Sequence, residues 1–272
     1  MAAPLQGKRI ALACHRRADD LAKLVTKFGG TPLLRPTMRT LPATDDPLLL
    51  ATMRQLLKEG ADWLVFTTGV GVQGLAEVAE KLGMEDAWRS LLRSARLAAR
   101  GYKTANALRS LGIADFVRDT YGTTESLLAA LASEDFSDRK VAVQLFGEPV
   151  PEVTDWFRRR GAKVTELLAY RHLPSPPFVL DTLLHEILLG KVDAVLFTSA
   201  PQVRFLFAHA QSRHQKEALC DAFQRRVVAG AVGQVSAQAL REFGVTRCVV
   251  PEEERMGAMV IALVRHFAPD AF

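Results

Sequence analysis

A chain of 272 residues, 49% apolar and 24% charged, is long enough for two ordinary domains and has the composition of a globular protein. The net charge of +5 is modest, and the basic residues are scattered apart from Arg158-Arg159-Arg160 and Arg225-Arg226, so no nucleic-acid footprint is expected. No apolar run approaches the roughly 20 residues that cross a bilayer, no signal peptide precedes the first strand, and Cys14, Cys220 and Cys248 are too far apart for a disulfide frame or zinc site; no membrane and a cytoplasmic location are the expectations.

In chain order, Arg9 to Ala13 reads as a first strand and is followed by a helix to about Phe28, closed by Gly29-Gly30. Thr31 to Met38 carries two prolines and extends as a strand or linker. A helix from Asp45 to Glu59 precedes an apolar strand, Ala61 to Phe66, which stops at Thr67-Thr68-Gly69. Then come a helix from Val70 to Leu82, a short helix bearing Trp88, a strand from Arg96 to Ala99 and a helix from Tyr102 to Leu111. A short strand at Phe116 to Arg118 leads to a helix from Thr124 to Ala132, whose Thr123-Thr124-Glu125-Ser126 start supplies cap-type side chains. Lys140 to Leu145 is a strand, Val150 to Arg160 a helix and Lys163 to Ala169 a strand ending at Tyr170. Leu173-Pro174-Ser175-Pro176-Pro177 is the clearest linker, after which four helices alternate with three strands through Phe267.

The pattern is written twice. Trp63-Leu64-Val65-Phe66-Thr67-Thr68 returns as Ala194-Val195-Leu196-Phe197-Thr198-Ser199, Gly101 to Gly112 returns as Gly233 to Gly244, and Arg9 to Ala13 returns as Lys140 to Gln144. The step is nearly constant and close to half the chain, so the chain is a duplication. Strands alternating with helices throughout predict an α/β fold of two doubly wound parallel-sheet domains, flavodoxin-like or Rossmann-like. The proline-bearing crossings lie one unit inside each half and suggest that the halves exchange their first unit. That divides the chain into a discontinuous domain of residues 1–35 plus 174–272 and a continuous one of 38–170, with linkers near 32–38 and 168–177.

Ligands of such sheets bind beyond the carboxyl ends of the strands, where helix N-termini point. Those ends carry Thr67-Thr68, Gly101 to Thr104, Ser199 and Gly233 to Ser236, each read as a small hydroxyl side chain beside free amide hydrogens. Such ends hold carboxylates or phosphates, or serve only as N-caps. Gly69-Val70-Gly71-Val72-Gln73-Gly74 is a literal G-x-G-x-x-G, but the next strand ends in Arg100-Gly101 without the acid a dinucleotide site needs, and its repeat copy has no glycine at the matching positions. The six histidines have no metal-ligand spacing and no Gly-x-Ser-x-Gly elbow is present. No metal and no cofactor are expected, and any chemistry rests on positioning and electrostatics.

These residues resemble the uroporphyrinogen-III synthase family over essentially the whole chain and in family order. The resemblance is carried by the Phe-Thr-Ser/Thr strand ends at Phe66 to Thr68 and Phe197 to Ser199, by the paired helices from Gly101 and Gly233, and by Arg160 to Val164 running on to Ala169-Tyr170-Arg171. It implies two domains joined by a two-strand linker, with hydroxymethylbilane held in the cleft between them. It implies a lyase without cofactor that closes this linear tetrapyrrole to uroporphyrinogen III, inverting the last ring through an azafulvene and a spiro-pyrrolenine. It also implies a monomer, in transient contact with the hydroxymethylbilane synthase that supplies the substrate.

By the same resemblance Tyr170 is the cleft tyrosine that assists hydroxide departure, the bland alternative being a linker tyrosine packed on Pro174. Thr68, Thr104, Ser199 and Ser236 match hydroxyl positions that bind substrate carboxylates. Arg16 or Arg17, after the first strand, adds a charged grip or is simply exposed. There are departures from the family pattern: Gly69 replaces a proline, Gly101-Tyr102 and Gly233-Gln234 replace Gly-Pro, and Phe146-Gly147-Glu148-Pro149 replaces a basic-glycine turn. They point to a branch in which such modules are fused to DNA-binding domains as regulators, for which too few residues follow Phe267. A non-catalytic tetrapyrrole- or anion-sensing module on the same fold is therefore the alternative.

Overall fold

The computed structural model describes residues 3–147 and 150–271, so Glu148 and Pro149 of the divergent turn lie outside the described residues. In chain order the elements are β1 (Arg9–Leu12), α1 (Ala18–Lys27), β2 (Thr31–Leu34), β3 (Met38–Pro42), α2 (Pro47–Glu59), β4 (Trp63–Phe66), α3 (Gly69–Lys81), α4 (Glu85–Ser94), β5 (Arg96–Ala99), α5 (Gly101–Ser110), β6 (Val117–Arg118) and α6 (Thr124–Ala130). The second half continues with β7 (Lys140–Gln144), α7 (Pro151–Arg158), β8 (Lys163–Leu167), β9 (Tyr170–Pro174), α8 (Pro177–Leu188), β10 (Ala194–Phe197), α9 (Ala200–Ser212), α10 (Lys216–Arg225), β11 (Val228–Ala231), α11 (Gln234–Glu242), β12 (Cys248–Val249) and α12 (Met256–Phe267). Two compact units result: one joins the chain up to Arg39 with the segment from Leu173 onward, and the other runs from Thr40 to His172.

The first unit holds a parallel sheet in the order β12-β11-β10-β1-β2, the second a parallel sheet in the order β6-β5-β4-β7-β8. Strands β1 and β2 of the first half thus complete the sheet of the second half, and β7 and β8 complete that of the first. Strands β3 and β9, where the chain crosses, form a two-stranded sheet of their own.

In the second unit the central strand β4 is buried on both faces. Leu64 and Phe66 pack with Val72, Leu75 and Trp88, while Trp63 and Val65 pack with Val143, Phe136 and Phe157. In the first unit β10 is divided in the same way, with Val195 and Phe197 in one core and Ala194 and Leu196 in the other. Full burial of a phenylalanine such as Phe66 or Phe197 contributes about 1.5–3 kcal/mol, which fixes the end of the strand where the threonines follow.

One element departs from the sequence reading. The pattern predicts a single helix between Phe197 and the next strand, but α9 and α10 are separate, broken at His214, whose φ is +56°. The equivalent break between α3 and α4 uses Gly83 at φ +65°. Histidine enters this left-handed region more readily than branched residues do, but it does not announce a turn as glycine does. The proline segments also carry more structure than a linker: Leu173 and Pro174 close β9, and Pro177 opens α8, where a missing amide costs nothing.

Candidate functional site

In the second unit the site is built where β4 ends. Phe66 lies between Ala99 and Gln144 in the sheet register. Beyond it, Thr67 and Thr68 leave two amides at the start of α3, and the buried side chain of Gln144 takes both: its Oε1 accepts from Thr67 N at 3.1 Å and from Thr68 N at 3.0 Å. Thr67 Oγ1 donates to the Gln144 carbonyl at 2.7 Å, and Gln144 Nε2 donates to the carbonyl of Leu145. The turn is therefore held by a buried network whose donors and acceptors satisfy one another.

That network aims Thr68. Its backbone is extended, its Oγ1 accepts from Gly71 N at 3.1 Å as the N-cap of α3, and the same hydroxyl lies 3.1 Å from the Tyr170 hydroxyl. Tyr170 opens β9, is 4% exposed and sits among the apolar side chains of its unit, with its ring edge-on to His172 at 5.2 Å. His172 is hydrogen-bonded through Nδ1 to Thr40 Oγ1 at 3.1 Å, its amide donates to the Gly147 carbonyl, and burial lowers its pKa below the ordinary 6.5.

The glycine motif is explained by packing. A methyl group on Gly69 would lie 2.8 Å from the Lys103 carbonyl oxygen, one on Gly71 would lie 1.9 Å from Gln144 Cδ, and one on Gly74 would lie 3.3 Å from the Ala169 carbonyl oxygen. The first glycine admits α5, the second admits the Gln144 side chain and the third admits the corner before β9. A dinucleotide is not needed to account for any of them.

The helix N-termini expected to present free amides do not all do so, and this corrects the sequence reading. At α5 the Gly101 amide donates to the buried carboxylate of Asp119, which also accepts from Gly122 N. At α11 the Gln234 amide donates to Glu254 Oε1 at 2.7 Å, and a methyl on Gly233 would collide with that carboxylate. The chain's own acids thus take the positive ends of both helices. Thr104 and Ser236, on the first turns of these helices, are only 1% and 3% exposed. Asp119 and Glu254 escaped the sequence reading because each is supplied by a loop 18 or 20 residues downstream.

In the first unit, Ser199 is the extended N-cap of α9, and its hydroxyl makes no capping bond. The preceding amide, Thr198 N, donates to Gln202 Oε1 at 2.8 Å, and Gln202 Nε2 returns a bond to Thr198 Oγ1 at 2.9 Å. Cys14 is buried beside Thr198, and burial raises its thiol pKa. Arg16 is exposed in the turn after β1; Arg17, at φ +56°, donates to Asp20 through Nε. Tyr170 and Thr68 are therefore in direct contact, Thr104 is buried in the same unit, and Ser199, Ser236 and Arg16 belong to the other.

Arg100 stands at the same end of the sheet as Thr68, outside the motifs of the sequence. It caps α5, and its amide donates to the Phe66 carbonyl. Its part-buried guanidinium donates through Nε to the Thr67 carbonyl at 3.1 Å and through Nη1 to Thr124 Oγ1 at 2.8 Å, and lies 4.4 Å from the Phe146 ring centre. The signal available in the sequence was an arginine where the dinucleotide motif would have an acid. Among the described residues no His/Cys/Asp/Glu group forms a metal site, and no helix is long and apolar enough to cross a membrane.

A duplicated pair of five-stranded parallel sheets, each with a hydroxyl-bearing turn at a helix N-terminus after its central strand, defines a doubly wound α/β protein, a class whose ligands bind beyond the carboxyl ends of the strands. The family model described as uroporphyrinogen-III synthase HemD matches residues 19–261. The chain belongs to the uroporphyrinogen-III synthase family, a family of cyclising enzymes of porphyrin biosynthesis acting on a small tetrapyrrole. The chain is similar to uncharacterized protein YjjA of Bacillus subtilis, 40% identical with 97% of each chain covered. A putative uroporphyrinogen-III synthase of Methanothermobacter thermautotrophicus is 28% identical over 93% of this chain and 96% of its own. Among solved structures, a mutant uroporphyrinogen III synthase from the extremely thermophilic bacterium Thermus thermophilus superposes with a TM-score of 0.82 at 37% identity, covering 97% of this chain and all of that one.

Proposed function

We propose that the chain is itself a uroporphyrinogen-III synthase, a hydro-lyase that closes hydroxymethylbilane to uroporphyrinogen III and inverts the last pyrrole ring through a spiro-pyrrolenine. Tyr170 acts at the hydroxymethyl end of the substrate, and Thr68, Ser199 and Arg16 are its carboxylate-binding positions. Thr104 and Ser236, being buried, act by shaping the first turns of α5 and α11. The observation that carries the reading is the hydrogen bond between Tyr170 and Thr68 at the carboxyl end of β4.

The chemistry follows from that bond. Tyr170 gives its phenolic proton to the departing hydroxyl, the carbon–oxygen bond breaks, and water leaves behind an azafulvenium cation. Thr68, whose Oγ1 already accepts from Gly71 N, donates to the phenol oxygen and steadies the phenolate formed. The substituted carbon of the last ring then attacks the cation, the spiro intermediate fragments, and reclosure on the other α-carbon gives the inverted ring. A proton lost from that carbon restores the phenol.

A second reading, a ligand-sensing module on the same fold, is favoured by one observation: Asp119 and Glu254 already hold the amides of α5 and α11. Conversion of porphobilinogen by its deaminase in the presence of this protein separates the two. Type III product supports the synthase, and type I alone supports the sensor.

A further inference from the structure

We infer that Arg100 is the anion-binding residue of the second unit's strand-end site, its guanidinium taking a carboxylate of the ligand that enters there. The inference rests on the proposed reading that the ligand is a polycarboxylate, and it goes beyond the hydroxyl positions considered so far.

Three observations lead to it. Among the described residues Arg100 makes no ion pair: its partners are the carbonyl of Thr67, the hydroxyl of Thr124 and the face of Phe146, all uncharged. A part-buried guanidinium whose hydrogen-bond partners are all neutral carries a desolvation cost that a carboxylate would offset. Burial lowers its pKa below the ordinary arginine range, and the charges of Tyr170 and Asp119 act in the opposite sense less strongly. Second, the backbone grip beside it is already closed, because Asp119 accepts from Gly101 N and Gly122 N. What remains to meet an incoming anion is the side chain, with donors beyond the two it uses. Third, its position is set. The Thr67 carbonyl it holds belongs to the same peptide as the Thr68 amide, and Thr68 touches Tyr170. A carboxylate on Arg100 would be tied to the phenol through that one turn and would index the substrate against it.

The test uses the whole chain and uroporphyrin III, an octacarboxylate, as the probe, with coproporphyrin III, a tetracarboxylate, beside it. Binding is followed by fluorescence titration at two salt concentrations, and turnover by the coupled assay. Loss of a charge-assisted bond of about 1.5–3 kcal/mol corresponds to a Kd roughly ten- to a hundredfold higher. Arg100→Gln is therefore expected to weaken uroporphyrin binding by at least tenfold and to flatten its salt dependence, with KM rising more than kcat falls. Arg100→Lys, which keeps the charge but loses the fork, should fall between. If Arg100→Gln loses its cooperative melt, Arg100→Lys alone decides, with a threefold loss expected. Unchanged Kd and KM in a folded variant, or no uroporphyrin binding by the wild type, would overturn the inference. If the wild type makes only type I product yet binds uroporphyrin in an Arg100-dependent way, the synthase reading fails and this inference stands.

Discussion

At the scale of single residues the proposed chemistry turns on the hydroxyl of Tyr170 and what holds it. Replacing Tyr170 with phenylalanine removes one proton donor and leaves the ring packed against His172. Turnover is expected to fall about a hundredfold or more, the range for loss of a general acid, while the melting temperature stays within the shift expected for about 1 kcal/mol. Full activity in that variant would reject the role given to the phenol. His172, beside it, makes stability depend on pH. Its folded pKa lies below the ordinary 6.5 because burial disfavours the imidazolium, so the unfolded chain takes up the proton first. The contribution is whole above about pH 6.5 and is lost as pH falls through that value toward the folded pKa. Asp181, held low by Arg213 and His209, acts in the same sense only below its ordinary 3.8, so the two windows are separate. His266 is also lowered by burial and stays as background. Melts between pH 8 and pH 5 should therefore decline less steeply in His172→Gln than in the wild type, and equal slopes would contradict the assignment. Tyr170 and Thr68 were named from family likeness, and the fold puts their hydroxyls 3.1 Å apart; His172 was not named, because its surroundings come from Gly147 and Thr40, which only the fold brings to it.

At the scale of elements the two copies solve one packing problem with a single glutamine placed on opposite partners. The step that carries Phe66 to Phe197 also carries Gly71 to Gln202 and Ala13 to Gln144. In the second unit the amide group reaches over from strand β7 and the helix position is glycine; in the first it rises from helix α9 and the strand position is alanine. Gly71→Ala should thus cost about 1–3 kcal/mol through overlap with Gln144. In the double variant with Gln144→Ala the overlap term should disappear, leaving only the loss of the amide network. A denaturation cycle over the four proteins measures the coupling, and strict additivity would show that the two positions do not compete for one space. The strands and most helices were legible because apolar runs of strand length alternate with amphipathic stretches throughout the chain. The break at His214 and the capping acids Asp119 and Glu254 were not. A left-handed histidine carries no turn signature, and a carboxylate that caps a helix from a downstream loop leaves no local pattern.

At the scale of the whole molecule, the duplication and the exchange of β1-β2 for β7-β8 place a hydroxyl-bearing turn at the carboxyl end of the central strand in each unit. The repeat was readable as three matches at one step, and the exchange as the two proline crossings. Membership of the family shows the kind of reaction for which such a frame is used, and the chemistry proposed for this chain is open to one direct measurement. Hydroxymethylbilane, prepared beforehand, is mixed with increasing amounts of the purified protein, and the porphyrin isomers are separated after oxidation. Left alone the substrate closes to the type I isomer, so the account predicts a type III fraction that rises to nearly all of the product with protein concentration, with the Tyr170→Phe curve displaced to much higher concentrations. A product that stays type I at every concentration would contradict it.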